Sequence, residues 1–472
     1  MLDEVALVYH RKQFSALTEI AKHPVLSRRV KSLSFQADRL RTDITYEQWD
    51  KQRPDPAGMG LITPWDAEPR LERETGDRTI RRMRRALVRS EQERRERKDA
   101  VPLEQVANAY AAFLRTVQDQ GFVEREGYDI ACLRDFLKGC PRLRDVTICF
   151  EASRDGRPQA INTAFEAGLV RPYGDKVWNE QGVRALNAVA AAAYGSGSSL
   201  DSLTLENVSP RIIPDLNSSD MGINAEHPDN LDCQLRALIK PLRRLRFVLS
   251  AANPDYNAVG DEYALLEEQS DLLKAGGLYR LLKDATELRV VKFSFQAEVL
   301  EAESTFMSMD HAHVFRDLTF PHLYELRLSN CLMSMEYLLD LLLRHKDTLR
   351  RLSISYAQLS TGDWHTCFAE IGGKLTALKS VKLRGESECE FFTQFDFAVP
   401  EQRKPYYYRD AVERYVLIGG EWPDPEDYSD PGDTTDPLDQ EEYELPAPTD
   451  REERAEDDPA NVYEWDSVDG CI

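Results

Sequence analysis

One spacing, apolar-x-x-apolar-x-apolar, recurs eight times along the chain and constrains its fold more than any other feature. It occurs as Val30-x-x-Leu33-x-Phe35, Leu143-x-x-Val146-x-Ile148, Leu200-x-x-Leu203-x-Leu205 and Leu242-x-x-Leu245-x-Phe247. It continues as Leu288-x-x-Val291-x-Phe293, Leu323-x-x-Leu326-x-Leu328, Leu349-x-x-Leu352-x-Ile354 and Leu378-x-x-Val381-x-Leu383. Alternation over three or four residues makes a short strand with one buried face, and the preceding apolar residue turns into the same core. From Leu143 onward the starts are 57, 42, 46, 35, 26 and 29 residues apart. Only the last two intervals have the length of ordinary leucine-rich repeats, so the earlier units carry longer connections.

Helical periodicity fills the gaps, over Leu103–Val117, Ile130–Leu137, Gly182–Ala193, Leu231–Ile239, Leu265–Leu282, Met335–Leu343 and Trp364–Ile371. Strands alternating with helices imply parallel pairing with the helices on one side. No single unit can bury its own apolar face, so neighbours stack. The expected fold is therefore α/β: a leucine-rich-repeat-like solenoid with a curved parallel sheet and helices on its outer face. Ser329-Asn330-Cys331 is expected to form the turn after the sixth strand. The competing reading is an ordinary α/β sheet with accidental leucine spacing.

Charge divides the chain further. The net charge of −22 is concentrated at one end, since residues 421–472 hold 20 Asp or Glu against Arg451 and Arg454. With seven prolines and little apolar material, this acidic tail is expected to be disordered. A second anomaly, residues 49–100, opens with a Pro/Gly-rich loop and carries 12 basic and six acidic residues between Arg70 and Lys98. It reads as an exposed basic insertion. Arg81-Arg82-Met83-Arg84-Arg85 could contact nucleic acid, but interleaved Glu and absent aromatics make that an unfavoured partner. The expected layout is 1–48 as an N-terminal helix and first strand, 49–100 as insertion, 101–420 as solenoid and 421–472 as tail.

The eight cysteines form no CxxC pair or disulfide framework, pointing to free thiols in a reducing compartment. No stretch approaches the length of a membrane span, and Val5–Tyr9 is too short and too acidic in its flank for a signal peptide. The expected location is cytoplasmic or nuclear.

The later repeats carry a family resemblance. Phe320-Pro-His-Leu-Tyr-Glu-Leu-Arg-Leu-Ser-Asn-Cys331 leads into the leucine-rich stretch from Met335. Trp364, the Phe368-Ala-Glu-Ile-Gly-Gly-Lys-Leu375 segment and Leu378-Lys-Ser-Val-Lys-Leu-Arg-Gly385 follow. Earlier come Leu17, Ile20, His23-Pro-Val-Leu26 and Cys140-Pro-Arg-Leu-Arg144, and the run closes with Ala411-Val-Glu-Arg-Tyr-Val-Leu-Ile-Gly-Gly-Glu-Trp-Pro423. Over residues 12–45 and 101–423 this order resembles the large filamentous-fungal family of F-box proteins with leucine-rich repeats. The resemblance implies substrate recognition in an SCF-type ubiquitin ligase, with the repeat arc holding a protein substrate. A Skp-type adaptor is implied only if an F-box lies upstream, because at most a remnant fits before the helix that begins near residue 14.

In each repeat, positions three, five and seven should face solvent. Across the last five strands these are Arg244, Arg246, Val248; Val290, Lys292, Ser294; Glu325, Arg327, Ser329; Arg351, Ser353, Ser355; and Ser380, Lys382, Arg384. Seven of the fifteen are basic and one is acidic, whereas the first three strands offer none that is basic. A one-sided basic stripe suits an acidic or phosphorylated peptide. The candidate partner-binding residues are Arg244, Arg246, Lys292, Arg327, Arg351, Ser353, Lys382 and Arg384, and the acidic tail is a candidate competitor for them.

Catalytic signatures are weak. His311-Ala-His313 has no accompanying ligand constellation. Gly195-Ser-Gly-Ser-Ser199 precedes a strand and reads as a turn, and Gly372-Gly-Lys374 lacks the flanking residues of a phosphate loop. No Gly-x-Ser-x-Gly elbow occurs. The expectation is a non-enzymatic binding protein without a cofactor, with a plain interaction scaffold as the second reading and an α/β hydrolase or transferase as the third.

Overall fold

A computed structural model describes residues 3–37, 39–40, 45–52, 100–149, 178–208, 231–250, 271, 273–296, 309–310, 312–389, 395–397 and 405–423. The bulk of the basic insertion and the acidic tail beyond 423 lie outside the described residues. Eleven strands are seen: β1 (Glu4–Val8), β2 (Ser32–Gln36), β3 (Asp145–Cys149), β4 (Ser202–Val208), β5 (Arg244–Ser250), β6 (Val290–Gln296), β7 (Met309–Asp310), β8 (Glu325–Ser334), β9 (Arg351–Thr361), β10 (Ser380–Cys389) and β11 (Phe395–Phe397).

Nine of them form one open sheet, all parallel, in the order β1-β2-β3-β4-β5-β6-β8-β9-β10. The two-residue β7 adds alongside β8, and β11 closes the far side antiparallel to β10. All eight leucine-spaced segments are rungs of this sheet, so 1–48 and 101–420 share one framework. A backbone relay locks the register just before each strand. Lys31 donates to Asp3, Arg144 to Lys31, Asp201 to Arg144 and Arg243 to Asp201; Arg289, Tyr324, Arg350 and Lys379 then continue the chain, at 2.7–2.9 Å.

Among the described residues, eleven helices lie between and after the strands: α1 (Arg11–Lys22), α2 (Tyr46–Gln52), α3 (Leu103–Arg125), α4 (Tyr128–Gly139), α5 (Trp178–Ser196), α6 (Leu231–Ile239), α7 (Gly277–Leu282), α8 (Ala312–Phe315), α9 (Met335–Arg344), α10 (Trp364–Ile371) and α11 (Pro405–Ile418). The inward strand pairs, such as Leu203 with Leu205 and Leu352 with Ile354, join Phe14, Phe136, Leu186, Leu235, Leu338 and Phe368 from the helices in one continuous core. Local chemistry sets the boundaries. Ser334 ends β8 and caps α9 by accepting from the Tyr337 amide at 3.2 Å, and Asp363 does the same for α10 through Thr366 at 2.7 Å. The expected helix-to-strand turn falls at the end of the Gly195–Ser199 segment: α5 runs through Ser196, and Gly197 is left-handed at φ 67°.

Three expectations are corrected. First, Ser329-Asn330-Cys331 is no turn: β8 runs through it to Ser334. Asn330 takes φ 52° and its neighbour in register, Tyr356 on β9, takes φ 49°. These paired left-handed residues advance the inward phase by one, so that Cys331 with Met333, and Ala357 with Leu359, point back into the core. Second, the insertion begins later than residue 49. Trp49 on α2 is fully buried with Val8, Leu40, Val106, Ala109 and Phe113 in a second, smaller core. Third, β1 is a ninth parallel strand.

The last strand edge is covered. Val412 and Val416 of α11 are buried, and Glu413 Oε1 accepts the Leu383 amide of β10 at 2.7 Å. Gly373 donates to the Val416 carbonyl at 3.2 Å, and a Cβ there would stand 3.1 Å from the Ile418–Gly419 backbone. Among the described residues, no helix is long and apolar enough to cross a membrane.

Candidate functional site

The parallel register converts the predicted stripe into two adjacent rows on the sheet face opposite the helices. Arg246, Lys292, Arg327, Ser353 and Lys382 are successive register partners on β5, β6, β8, β9 and β10. Four of these five positions are cationic. At a strand spacing of about 4.8 Å, the row is roughly 19 Å long. Beside it runs Arg244, Val290, Glu325, Arg351 and Ser380. Arg384 stands one step further along β10, opposite Ser355, after Ser294 and Ser329. All eight candidate residues are therefore described and share one face.

The positions are less open than the sequence implies. Gln36, Cys149, Glu206 and Glu325 occupy outward positions yet are buried, and the cationic side chains are about one-third exposed. Glu325 is the centre of the arrangement. Its Oε1 lies 2.7 Å from Arg327 Nε and 3.8 Å from Lys292 Nζ, and its Oε2 lies 3.7 Å from Arg351 Nη1. One carboxylate thus meets three cations from three other positions. Two further pairs bridge strands: Arg246 with Glu206 at 3.4 Å, and Arg244 with Asp145 at 2.8 Å, the latter reaching across β4. Sequence inspection missed these pairings because Glu206 and Asp145 lie 40 and 99 residues from their partners.

Five of the cations on this face, Arg244, Arg246, Lys292, Arg327 and Arg351, share three carboxylates, Asp145, Glu206 and Glu325. The effect shows at Lys292, whose ammonium is pushed down to about 8 by burial and by Arg327, with Arg246 and Arg244 adding to the shift and Glu325 opposing it. A lysine so held is short of negative charge. The surface is chemically suited to carboxylate or phosphate groups presented at strand spacing.

The other chemistry-bearing groups have structural partners. Asp129 is fully buried, accepts from Tyr9 Oη at 3.0 Å and receives two Arg184 Nη2 contacts at 3.1 and 3.0 Å. Burial first, then Asp129, raises the Tyr9 hydroxyl. His345 is buried between the Leu341 carbonyl (Nδ1, 2.8 Å) and the Phe320 amide, which donates to Nε2 at 3.0 Å. Burial lowers its titration, so it acts as a neutral joint between α9 and the turn before β8. The thiols of Cys140 and Cys367 are pushed up by burial to about 11 and 12, opposite to an activated nucleophile. His313 is on α8, while His311 lies outside the described residues. Among the described residues, no group of three His, Cys, Asp or Glu could hold a metal.

No protein-family model matches the chain, and no curated protein matches it as a relative.

Proposed function

We infer that this chain is a non-enzymatic protein-binding scaffold of leucine-rich-repeat type, whose polar sheet face receives an acidic or phosphorylated protein segment. The observation that carries this reading is the row Arg246–Lys292–Arg327–Lys382, held in lateral register by four successive parallel pairings with Glu325 beneath it. Register fixes the spacing of the cations, so a ligand meets them without reorganising the fold. The sequential strand order and the single helix layer support the solenoid form, since each unit contacts chiefly its neighbours. The resemblance to the fungal F-box family supports a role in choosing a ligase substrate, with a Skp-type adaptor engaged only if an F-box lies upstream.

Fluorescence anisotropy with acidic and phosphoserine-containing peptides tests the reading. Binding should weaken between 50 and 500 mM salt and should fall in a Lys292→Glu, Arg327→Glu variant that keeps the native unfolding midpoint. Affinity that ignores both salt and these substitutions overturns it. Adaptor pulldown from an upstream-extended chain separates ligase membership from a plain scaffold role.

A further inference from the structure

We propose that the sheet rim just before strands β5, β6, β8, β9 and β10 is a docking edge for an acidic α-helix of a partner protein. The rim is distinct from the sheet face, and the inference does not rest on the function proposed above.

The backbone relay builds this edge. Arg289 donates to the Arg243 carbonyl, Tyr324 to that of Arg289, Arg350 to that of Tyr324 and Lys379 to that of Arg350, at 2.7–2.9 Å. Five residues are thereby set side by side over four strand spacings, roughly 19 Å. Arg243, Arg289, Arg350 and Lys379 are exposed, and Tyr324 is partly so. Among the described residues, no ion pair or side-chain hydrogen bond engages Arg243, Arg289 or Lys379, and Arg350 lies over the Tyr324 ring at 5.6 Å.

The earlier relay positions differ. Lys31 pairs with Asp3 at 3.3 Å, Arg144 Nη1 donates to the Leu143 and Ser199 carbonyls at 3.2 and 3.3 Å, and Asp201 is acidic. The open cations are thus confined to the last five positions. Over residues 240–243, 283–289, 316–324, 345–350 and 372–379 the remaining charges nearly cancel, with five cations against four carboxylates.

Helix ends are the rival explanation, since a helix C-terminus attracts cations and α6, α7, α9 and α10 each finish just before this rim. That attraction fades within a turn. The row's cations lie four to eight residues past Ile239, Leu282, Arg344 and Ile371, beyond its range.

Geometry selects the partner. A helix presents the same face once per turn, every 5.4 Å. Four turns drift from four rungs by only about 2.4 Å, within reach of Arg, Lys and Glu side chains. An extended chain repeats a side about every 6.8 Å and overshoots by about 8 Å. The fitting helix carries acids on its first, second, fourth and fifth turns and an apolar residue opposite Tyr324 on the third. A nucleic-acid strand suits the edge less, because Tyr324 is the row's one aromatic and both Arg350 and Arg351 already engage its ring.

The test uses the full chain and a fluorescein-labelled, hydrocarbon-stapled Ala-rich peptide of about 16 residues. It bears Glu on the four outer turns of one face and Leu on the middle turn. An isomer of equal composition spreads the Glu residues around the helix. Both carry the same charge, so repulsion from a chain of net −22 cancels in the comparison.

At 50 mM salt the one-face peptide should bind about tenfold more tightly than its isomer, because exposed ion pairs are individually weak and add up only in register. The preference should shrink at 500 mM. Arg289→Gln with Arg350→Gln should remove most of it, and so should Arg243→Gln with Lys379→Gln, a second pair in case the first unfolds. Lys292→Glu with Arg327→Glu on the face should leave it intact. Equal binding of the two peptides overturns the proposal, as does a preference that survives both rim pairs. An oligothymidylate that displaces the helix from the rim at lower concentration overturns the partner class. None of these outcomes touches the proposed function, which is read from binding that responds to the face substitutions.

Discussion

The first and last thirds of the sheet share one ladder and use charge in opposite ways. Around β1–β3 the outward positions Ser32, Ser34 and Thr147 are small and neutral, Glu4 and Asp145 are acidic, and the strand ends Val8, Gln36 and Cys149 are buried. The second core of Trp49, Val106 and Phe113 lies over Val8. Charge in this region is internal and matched: Asp129 is fully enclosed by Tyr9 and Arg184, and Arg39 pairs with Glu124 at 2.6 Å. Around β5–β10 the same outward positions are mostly cationic and about one-third exposed, and five of those cations share Asp145, Glu206 and Glu325. Enclosed pairs in the first region fix structure; the partly exposed cationic rows of the second are the surface proposed to receive an anion. The contrast is why the proposed binding surface is assigned to one end of a continuous sheet.

The largest expected effect breaks the matched end. Asp129→Ala leaves Arg184 and the Tyr9 hydroxyl without their acceptor in a closed site, which should cost about 3–5 kcal/mol in denaturant unfolding. Anion affinity should be unchanged, because the site is on the other third of the sheet. If affinity falls in step with stability, the two regions are not separable.

Glu325→Gln probes the cationic end and should act in two directions. It removes the negative charge shared by Lys292, Arg327 and Arg351 while leaving one amide oxygen as acceptor, destabilising by about 1–3 kcal/mol. It also raises the face by one positive charge, so an acidic peptide should bind more tightly. Parallel loss of stability and affinity would mean that Glu325 only holds the cations in place.

A third effect belongs to the covered edge. Burial pushes Glu413 up to about 7 while its oxygen accepts the Leu383 amide. A carboxyl raised in the fold contributes stability that is complete below its ordinary 4.5 and is lost as pH rises through about 7. Unfolding should therefore be easier at pH 8 than at pH 5, by about 1 kcal/mol, since a terminal helix can open locally instead of carrying the full penalty. Glu413→Gln keeps the acceptor and should flatten the profile; an unchanged slope assigns it elsewhere.

Much of the parallel sheet was legible because the apolar spacing is local: three residues within six report one rung, and all eight such rungs pair as expected. The ninth was legible too and was passed over, since Leu2-Asp-Glu-Val5-Ala-Leu7 carries the same spacing. What could not be read is whatever depends on register between distant strands. Asp145 and Arg244 meet across β4, and no local pattern announces it. The left-handed residues Asn330 and Tyr356 likewise hide the continuation of β8 and β9, because they break period two where the strand persists. Trp49 looked like the start of an insertion because its partners Phe113 and Val106 lie some 60 residues on.

The smallest effect is the sharpest on the mechanism of binding. Lys292 is held down to about 8, so it is partly neutral at mildly alkaline pH. A lysine lowered in the fold contributes stability present above its ordinary 10.5 and lost as pH falls through about 8; its charged form is a cost that a bound anion offsets. Acidic peptides should therefore bind more weakly as pH rises through about 8, by roughly two- to fivefold for one partly exposed contact. By the same linkage, binding near that pH should take up a proton, visible as a buffer-dependent heat in calorimetry. Lys292→Arg keeps the charge at all these pH values and should abolish both the slope and the proton uptake. A slope that survives this substitution would move the titrating group, and with it the centre of the anion site, away from the row.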